Sequence, residues 1–227
     1  MAVILNIETS TTNCSVCLAK DGVPLTVKEQ DDVNYSHSEN LHVFIRDVME
    51  KASLKLQDID AVAVSKGPGS YTGLRIGVST AKGLCYALDK PLVAVPTLQV
   101  LASKYNIGNG VILPLLDARR MEVYSAVFDK DYEPLRETRA EIVTEASFHE
   151  WLDRGKVYFT GNGAEKCKAV ILHSNAIFPE KTEAPSASEM ALLAEKKFKT
   201  DDFEDVAYFE PYYLKDFVVT KKKKKTP

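Results

Sequence analysis

The chain has 227 residues, 45% of them hydrophobic and 27% charged, enough apolar surface for one large domain or two small ones and too much for a disordered chain. Its formal net charge is −3 although the five lysines at 221–225 contribute +5, which leaves −8 on the first 220 residues. So acidic a body argues against strong nucleic-acid binding by the body itself, because such binding rests on neutralising phosphates with cations.

Residues 2–8, 14–19 and 24–29 read as three strands, with Asp21-Gly22 supplying hairpin chemistry between the last two. Ser36 and Glu39 have capping-box spacing, and Leu41, Phe44, Ile45, Val48, Met49 and Ala52 recur at helical intervals, so a helix follows with one apolar face. That face meets either the core or a partner. The stretch 59–88, IDAVAVSKGPGSYTGLRIGVSTAKGLCYAL, then runs strand, glycine turn, helix, with the turn at 65–72 and the helix expected from Gly73. Gly67, Gly69 and Ser70 precede a helix start with unpaired N–H groups, an arrangement suited to phosphate. The turn lacks the lysine of a P-loop and has Thr72 where the dinucleotide fingerprint needs glycine, so a tight structural turn competes with an anion site. A strand at 91–95 and a helix from 97 to about 105 complete the first half.

After the turn-forming Asn106-Ile-Gly-Asn-Gly110, the same order returns: strands at 111–116, 122–128 and 134–142, a helix near 146–152, a strand at 157–160, and Gly161-Asn162-Gly163 opening a helix. Residues 188–199 form one more amphipathic helix, and 203–217 is an aromatic segment expected to pack on the body. Two halves of this kind face each other across a cleft at the carboxyl ends of their strands. Glu8, Thr9 and Ser10 end the first strand there, where a carboxylate and two hydroxyls could hold a metal-bound phosphate or act as plain turn residues. Asp117, Arg119, Arg120 and Glu122 cluster at the matching turn of the second half, either as a salt-bridged turn or at the cleft.

Metal and nucleophile chemistry find little support. Cys14 and Cys17 stand three apart on a strand and point to opposite faces, and Cys85 and Cys167 make no second pair. His37 and His42 are about 140° apart around a helix, which rules out an i, i+4 metal grip, and Ser70 lacks a nucleophile-elbow context. Residue 8 is already acidic and no apolar run approaches the roughly 20 residues of a membrane span. The expected setting is therefore cytoplasmic, with no membrane contact.

ILNIETSTT, the 59–88 stretch, LLDARRMEVY and the late Pro-Tyr-Tyr-Leu-Lys together resemble the bacterial TsaB (YeaZ) family, in consistent order over most of the chain. The first half is also similar to the catalytic TsaD subunit of the same pathway. The resemblance implies an α/β, actin-like ATPase fold of two ribonuclease-H-like lobes, which agrees with the duplication: each lobe opens with a three-stranded meander, at 1–106 and, reduced, at 107–217. The lysine run makes 218–227 a disordered basic tail, with contact to RNA or a membrane as the alternative. The resemblance also implies a non-catalytic scaffold in the complex that transfers threonylcarbamoyl to N6 of adenosine 37 in tRNAs reading codons that begin with A. The catalytic relative carries an H-x-x-x-H metal motif where this chain has Thr97 and Leu101, so no metal or other cofactor is expected here, ATP and metal being used by the partner subunits. On this reading Glu8, Thr9, Ser10, Gly67, Gly69, Ser70, Gly73, Gly161 and Gly163 are a vestigial nucleotide site, with weak nucleotide binding left open. Expected partners are a TsaD-type catalytic subunit, a small TsaE-type ATPase, a second copy when the chain is alone, and tRNA only through the complex. The first-lobe helices would supply the interface through Leu41, Phe44, Ile45, Val48, Leu74 and Ile76. The alternative is an actin-like phosphotransferase, or a peptidase, with its own activity.

Overall fold

The computed structural model describes residues 1–32, 37–181 and 183–215. Two five-stranded sheets carry it. In the first, β1 (Val3–Glu8), β2 (Asn13–Lys20), β3 (Val23–Asp31), β4 (Ala61–Ser65) and β5 (Leu92–Val95) lie in the order β3-β2-β1-β4-β5. In the second, β6 (Val111–Asp117), β7 (Glu122–Phe128), β8 (Pro134–Ile142), β9 (Val157–Thr160) and the two-residue β10 (Ala176–Ile177) lie in the order β8-β7-β6-β9-β10. Each sheet is thus an antiparallel meander whose first strand pairs in parallel with the strand after the crossover, with Ile4 opposite Ala61 in one and Val111 opposite Val157 in the other. This is the expected duplication, down to the order of strands.

The continuous apolar runs of β1, β2 and β4 bury both faces of the first sheet. On one face, Leu5, Ile7, Val16, Val62 and Val64 are covered by α1 (His37–Lys51) and α2 (Tyr71–Leu88). The other face is covered from far away in sequence: α6 (Ala187–Lys199) packs Met190, Leu193 and Ala194 on Ile4, Ala61, Ala63 and Val95. Residues 203–215 continue along the same lobe, with Glu204 bridging to Leu92 at the edge of β5. The helix α3 (Thr97–Ala102) is shared: Val100 joins the cluster beneath α6, while Leu98, Leu101 and Ala102 lie against Ile112, Leu116, Ala126 and Phe128 of the second sheet. The boundary expected at 106–107 therefore divides the sheets but not the packing, because 187–215 belongs to the first lobe. The second sheet's outer face carries α4 (His149–Leu152) and α5 (Ala164–Lys168).

Several local expectations shift. α2 begins at Tyr71, two residues before Gly73, because Ser70 caps it. α3 ends at Ala102, short of 105. α4 keeps only four residues, since Phe148 takes a left-handed conformation and Thr144 N donates to Ser147 Oγ in a turn where helix was expected. Ser36 and the lysines at 221–225 lie outside the described residues. No helix among those described is long and apolar enough to cross a membrane.

Candidate functional site

The end of β1 and the glycine turn after β4 form one buried unit. Glu8, Thr9 and Ser10 are each 1% exposed or less. Glu8 Oε1 accepts from Ser10 N at 2.7 Å and from Ser65 Oγ at 2.9 Å, while Oε2 has no partner. Burial pushes the Glu8 carboxyl above its ordinary range, and the hydrogen bonds from Ser10 and Ser65 only partly oppose it. Thr9 Oγ1 donates to Gly73 O at 2.8 Å, and Ser70 N donates to Ser10 O at 2.6 Å.

These contacts explain the glycines. A Cβ on Gly69 would stand 2.4 Å from Ser10 O, one on Gly73 2.1 Å from Thr9 O, and one on Gly77 2.3 Å from Thr9 Oγ1. The helix backbone lies directly on the strand end. Two donors that a phosphate cradle would aim outward are already used within the chain: Ser70 N binds Ser10 O, and Gly73 N reaches Ser70 Oγ at 3.3 Å as a helix cap. The hydroxyl of Ser70 thereby caps α2.

The second glycine turn repeats the device. A Cβ on Gly161, at φ +84°, would lie 2.4 Å from Leu115 O and 2.5 Å from Leu101 Cδ2, and Gly163 N donates to Leu115 O at 3.0 Å. Between the two turns runs α3. Thr97 Oγ1 accepts from Gly67 N at 3.2 Å and Thr97 N donates to Gly67 O at 3.1 Å, while Leu101, one turn on, fills the space beside Gly161. Both side chains are fully buried. The positions where the resemblance places a histidine pair hold one hydroxyl spent on a backbone amide and one side chain without a donor atom, which does not fit a metal.

At the turn between β6 and β7, Arg119 and Arg120 take φ +72° and +53°. Lys166 holds this turn from α5, reaching Asp117 Oδ1 at 2.5 Å and the carbonyls of Arg120 and Glu122 at 2.8 Å. The cluster is a lysine-braced turn. The C-terminal strap closes the first glycine turn: Tyr212 N donates to Lys66 O at 2.7 Å, and Tyr212 O lies 2.8 Å from where a Gly67 Cβ would be. Tyr213 packs on Tyr71 with ring centroids 5.0 Å apart, Arg75 lies over Tyr71, and Lys215 pairs with Glu122 on the second sheet. Sequence reasoning did not foresee these roles for Thr97, Lys166 and the strap, because every contact spans 30 or more residues.

The expected interface needs correction. Leu41, Phe44, Ile45 and Val48 are at most 6% exposed and pack on the first sheet, so the stripe that predicted α1 is core, and Leu74 is buried beside Gly67. Ile76 is partly buried and borders a groove between α1 and α2 lined by Ser38, His42, Tyr71, Thr72, Arg75, Ser79 and Thr80. His42 is exposed, whereas His37 is buried with Nε2 2.7 Å from Thr11 O, so the two face apart as their spacing requires. Cys14 and Cys17 face opposite sides of β2, and burial pushes their thiols up to about 11 and about 12.

Comparison with known proteins bears on this geometry. A family model described as TsaD, tRNA N6-adenosine threonylcarbamoyltransferase, matches residues 31–223. The tRNA threonylcarbamoyladenosine biosynthesis protein TsaB of Escherichia coli K12 is 32% identical over 232 residues, covering 96% of this chain and 97% of the relative. Its Bacillus subtilis 168 counterpart is 29% identical over 224 residues, covering 93% of each. Among solved structures, a Pseudomonas aeruginosa protein with similarity to peptidase YeaZ superposes with a TM-score of 0.82 at 26% identity, over 95% of this chain and all of the other.

Proposed function

Since the chain belongs to the TsaB (YeaZ) family and takes part in tRNA threonylcarbamoyladenosine biosynthesis, we propose that it serves there as a non-catalytic subunit. The observation that carries this reading is α3: Thr97 and Leu101, which stand where the catalytic relative has its histidine pair, are spent on packing the two glycine turns together. The tightness of Gly69 and Gly73 against Ser10 and Thr9 supports the same view, because it gives the glycines a structural purpose in seating α2 on the strand end.

In this role the chain pairs with a TsaD-type transferase and, through that complex, with a TsaE-type ATPase and tRNA. The outward sides of α1 and α2 are the pairing surface, with the groove around His42, Arg75 and Ile76 at its centre. A second copy occupies the same face when the transferase is absent. ATP and metal chemistry stay with the partners.

Co-expression with the transferase, size-exclusion chromatography and a tRNA-modification assay with and without this chain test the proposal. A stable complex is expected, with modification that depends on the chain although the chain alone turns over no ATP. Tight ATP binding with hydrolysis by the purified chain would overturn the non-catalytic reading.

A further inference from the structure

The C-terminal strap carries a groove of its own, of about 520 Å³, lined by Lys66, Glu204, Tyr208, Glu210, Tyr212 and Tyr213. Its floor is fixed before any guest arrives. Glu204 N donates to Leu92 O at 2.9 Å, Tyr212 N donates to Lys66 O at 2.7 Å, and Lys82 Nζ reaches the carbonyls of Ala207 at 3.2 Å and Phe209 at 2.9 Å. Asp205 Oδ1 accepts from Ala207 N at 2.7 Å and Tyr208 N at 3.1 Å. A surface held in this way loses little conformational freedom on binding. On it Tyr208 is 84% exposed, Tyr212 45% and Tyr213 39%, an open display of the side chain that interfaces favour.

The geometry points to this groove as a docking site for an extended, arginine-bearing segment of a protein partner. Charge decides the guest. Two carboxylates, Glu204 and Glu210, have no ion-pair partner among the described residues, and Lys66 is the one cation among the lining side chains. An anionic guest would meet both carboxylates, and an apolar one would strip them of water with nothing in exchange. A guanidinium satisfies both features together, because its planar face stacks on tyrosine and its edge forks onto a carboxylate, which an ammonium does less well. The inference does not depend on whether the chain is catalytic, since it concerns neither Thr97 and Leu101 nor the groove between α1 and α2.

The test is an amide-resolved NMR titration of the full chain with the peptide acetyl-Gly-Arg-Gly-Arg-Gly-amide, alongside its lysine and glutamate counterparts. Shifts confined to Lys66 and residues 204–213 are expected, with the arginine peptide binding most tightly and the glutamate peptide not at all. Glu204→Gln with Glu210→Gln should weaken binding about tenfold, as should Tyr208→Ala, in chains whose other resonances are unmoved. Shifts scattered over the surface, or undiminished affinity in the double glutamine variant, would overturn the assignment. Changing the five lysines at 221–225 to serine separates the remaining occupant. Tenfold tighter peptide binding after that change would mean the chain's own lysines fill the groove, and the partner assignment would fall.

Discussion

Gly73→Ala should lift the start of α2 off the end of β1, while the same change at Gly83, on the same helix, should do the opposite. A Cβ on Gly73 would stand 2.1 Å from Thr9 O, well inside the 3.3–3.6 Å of even a favourable carbon–oxygen contact, so backbone must separate from backbone by about 1 Å. Overpacking of this kind costs about 1–3 kcal/mol. The displacement also stretches the Thr9 Oγ1–Gly73 O and Ser70 N–Ser10 O hydrogen bonds, worth about 1 kcal/mol each, against a gain of about 1 kcal/mol in helix propensity. The net loss is about 2–4 kcal/mol, or roughly 5–15 °C in melting temperature for a chain of this size. Gly83 is exposed and has no atom within 4 Å of its would-be Cβ, so alanine there should stabilise by about 0.5–1 kcal/mol and raise the melting temperature by about 1–4 °C. Thermal and urea melts followed by circular dichroism measure both. If the two variants move together, or Gly73→Ala melts with the wild type, then α2 does not rest on Thr9 and the turn is open enough to be a phosphate cradle after all.

Leu41→Asp should unfold the first lobe, visible as lost near-ultraviolet dichroism, because it buries a charge among Leu5, Val16 and Val62; Ile76→Asp should leave the monomer folded and abolish co-elution with the transferase, and a folded Leu41→Asp chain would contradict the core assignment. For Glu8, the folded carboxyl lies above its ordinary 4.5, so the folded state holds its proton more tightly and loses stability as pH rises from 4.5 through the folded value. Glu8→Gln removes that loss, and its stability relative to wild type should be greater at pH 8 than at pH 5; parallel stability curves in urea would refute a raised carboxyl. Arg120→Gly should stabilise by about 0.5–1 kcal/mol, since glycine takes φ +53° without the side-chain strain and Lys166 still holds the carbonyl of residue 120; a lower melting temperature would show that the arginine side chain itself supports the turn.

Strands were the most legible part of this sequence. Residues 122–128, 134–142 and 157–160 have the same limits in sequence and structure, because a strand's apolar pattern and its flanking turn residues are local signals. Helix limits followed less well where tertiary contacts decided them. Ser70 extends α2 backwards by capping it on the strand end, and Phe148 trades helical geometry for a place in the core against Phe159, at 5.7 Å between rings. The glycine turns were visible as turns, but their purpose was not, since the atoms that forbid a Cβ on Gly69 and Gly73 belong to residues 59 and 64 positions earlier.

The stripe on α1 shows what a pattern can and cannot say. Leu41, Phe44, Ile45 and Val48 declare a face that must leave water, and periodicity is silent on whether a sheet or another chain receives it. The strands, however, contain the missing constraint. β1, β2 and β4 are apolar at successive positions, which means both faces of the first sheet need cover. One face can be closed only by α1 and α2, the helices flanking β4, and that use consumes the stripe. The other face has only the short α3 from its own half, and α3 gives it Val100 alone while Leu98 and Leu101 turn to the second sheet. The amphipathic helix at Ala187–Lys199 is then the one long element left to close it, and Ser186 fastens its start to Glu29 and Ser15 on the first sheet. A count of apolar strand faces against available helices would have assigned the stripe to the core and α6 to the first lobe, and it leaves the outward sides of α1 and α2, with the groove around Arg75 and Ile76, outside that core.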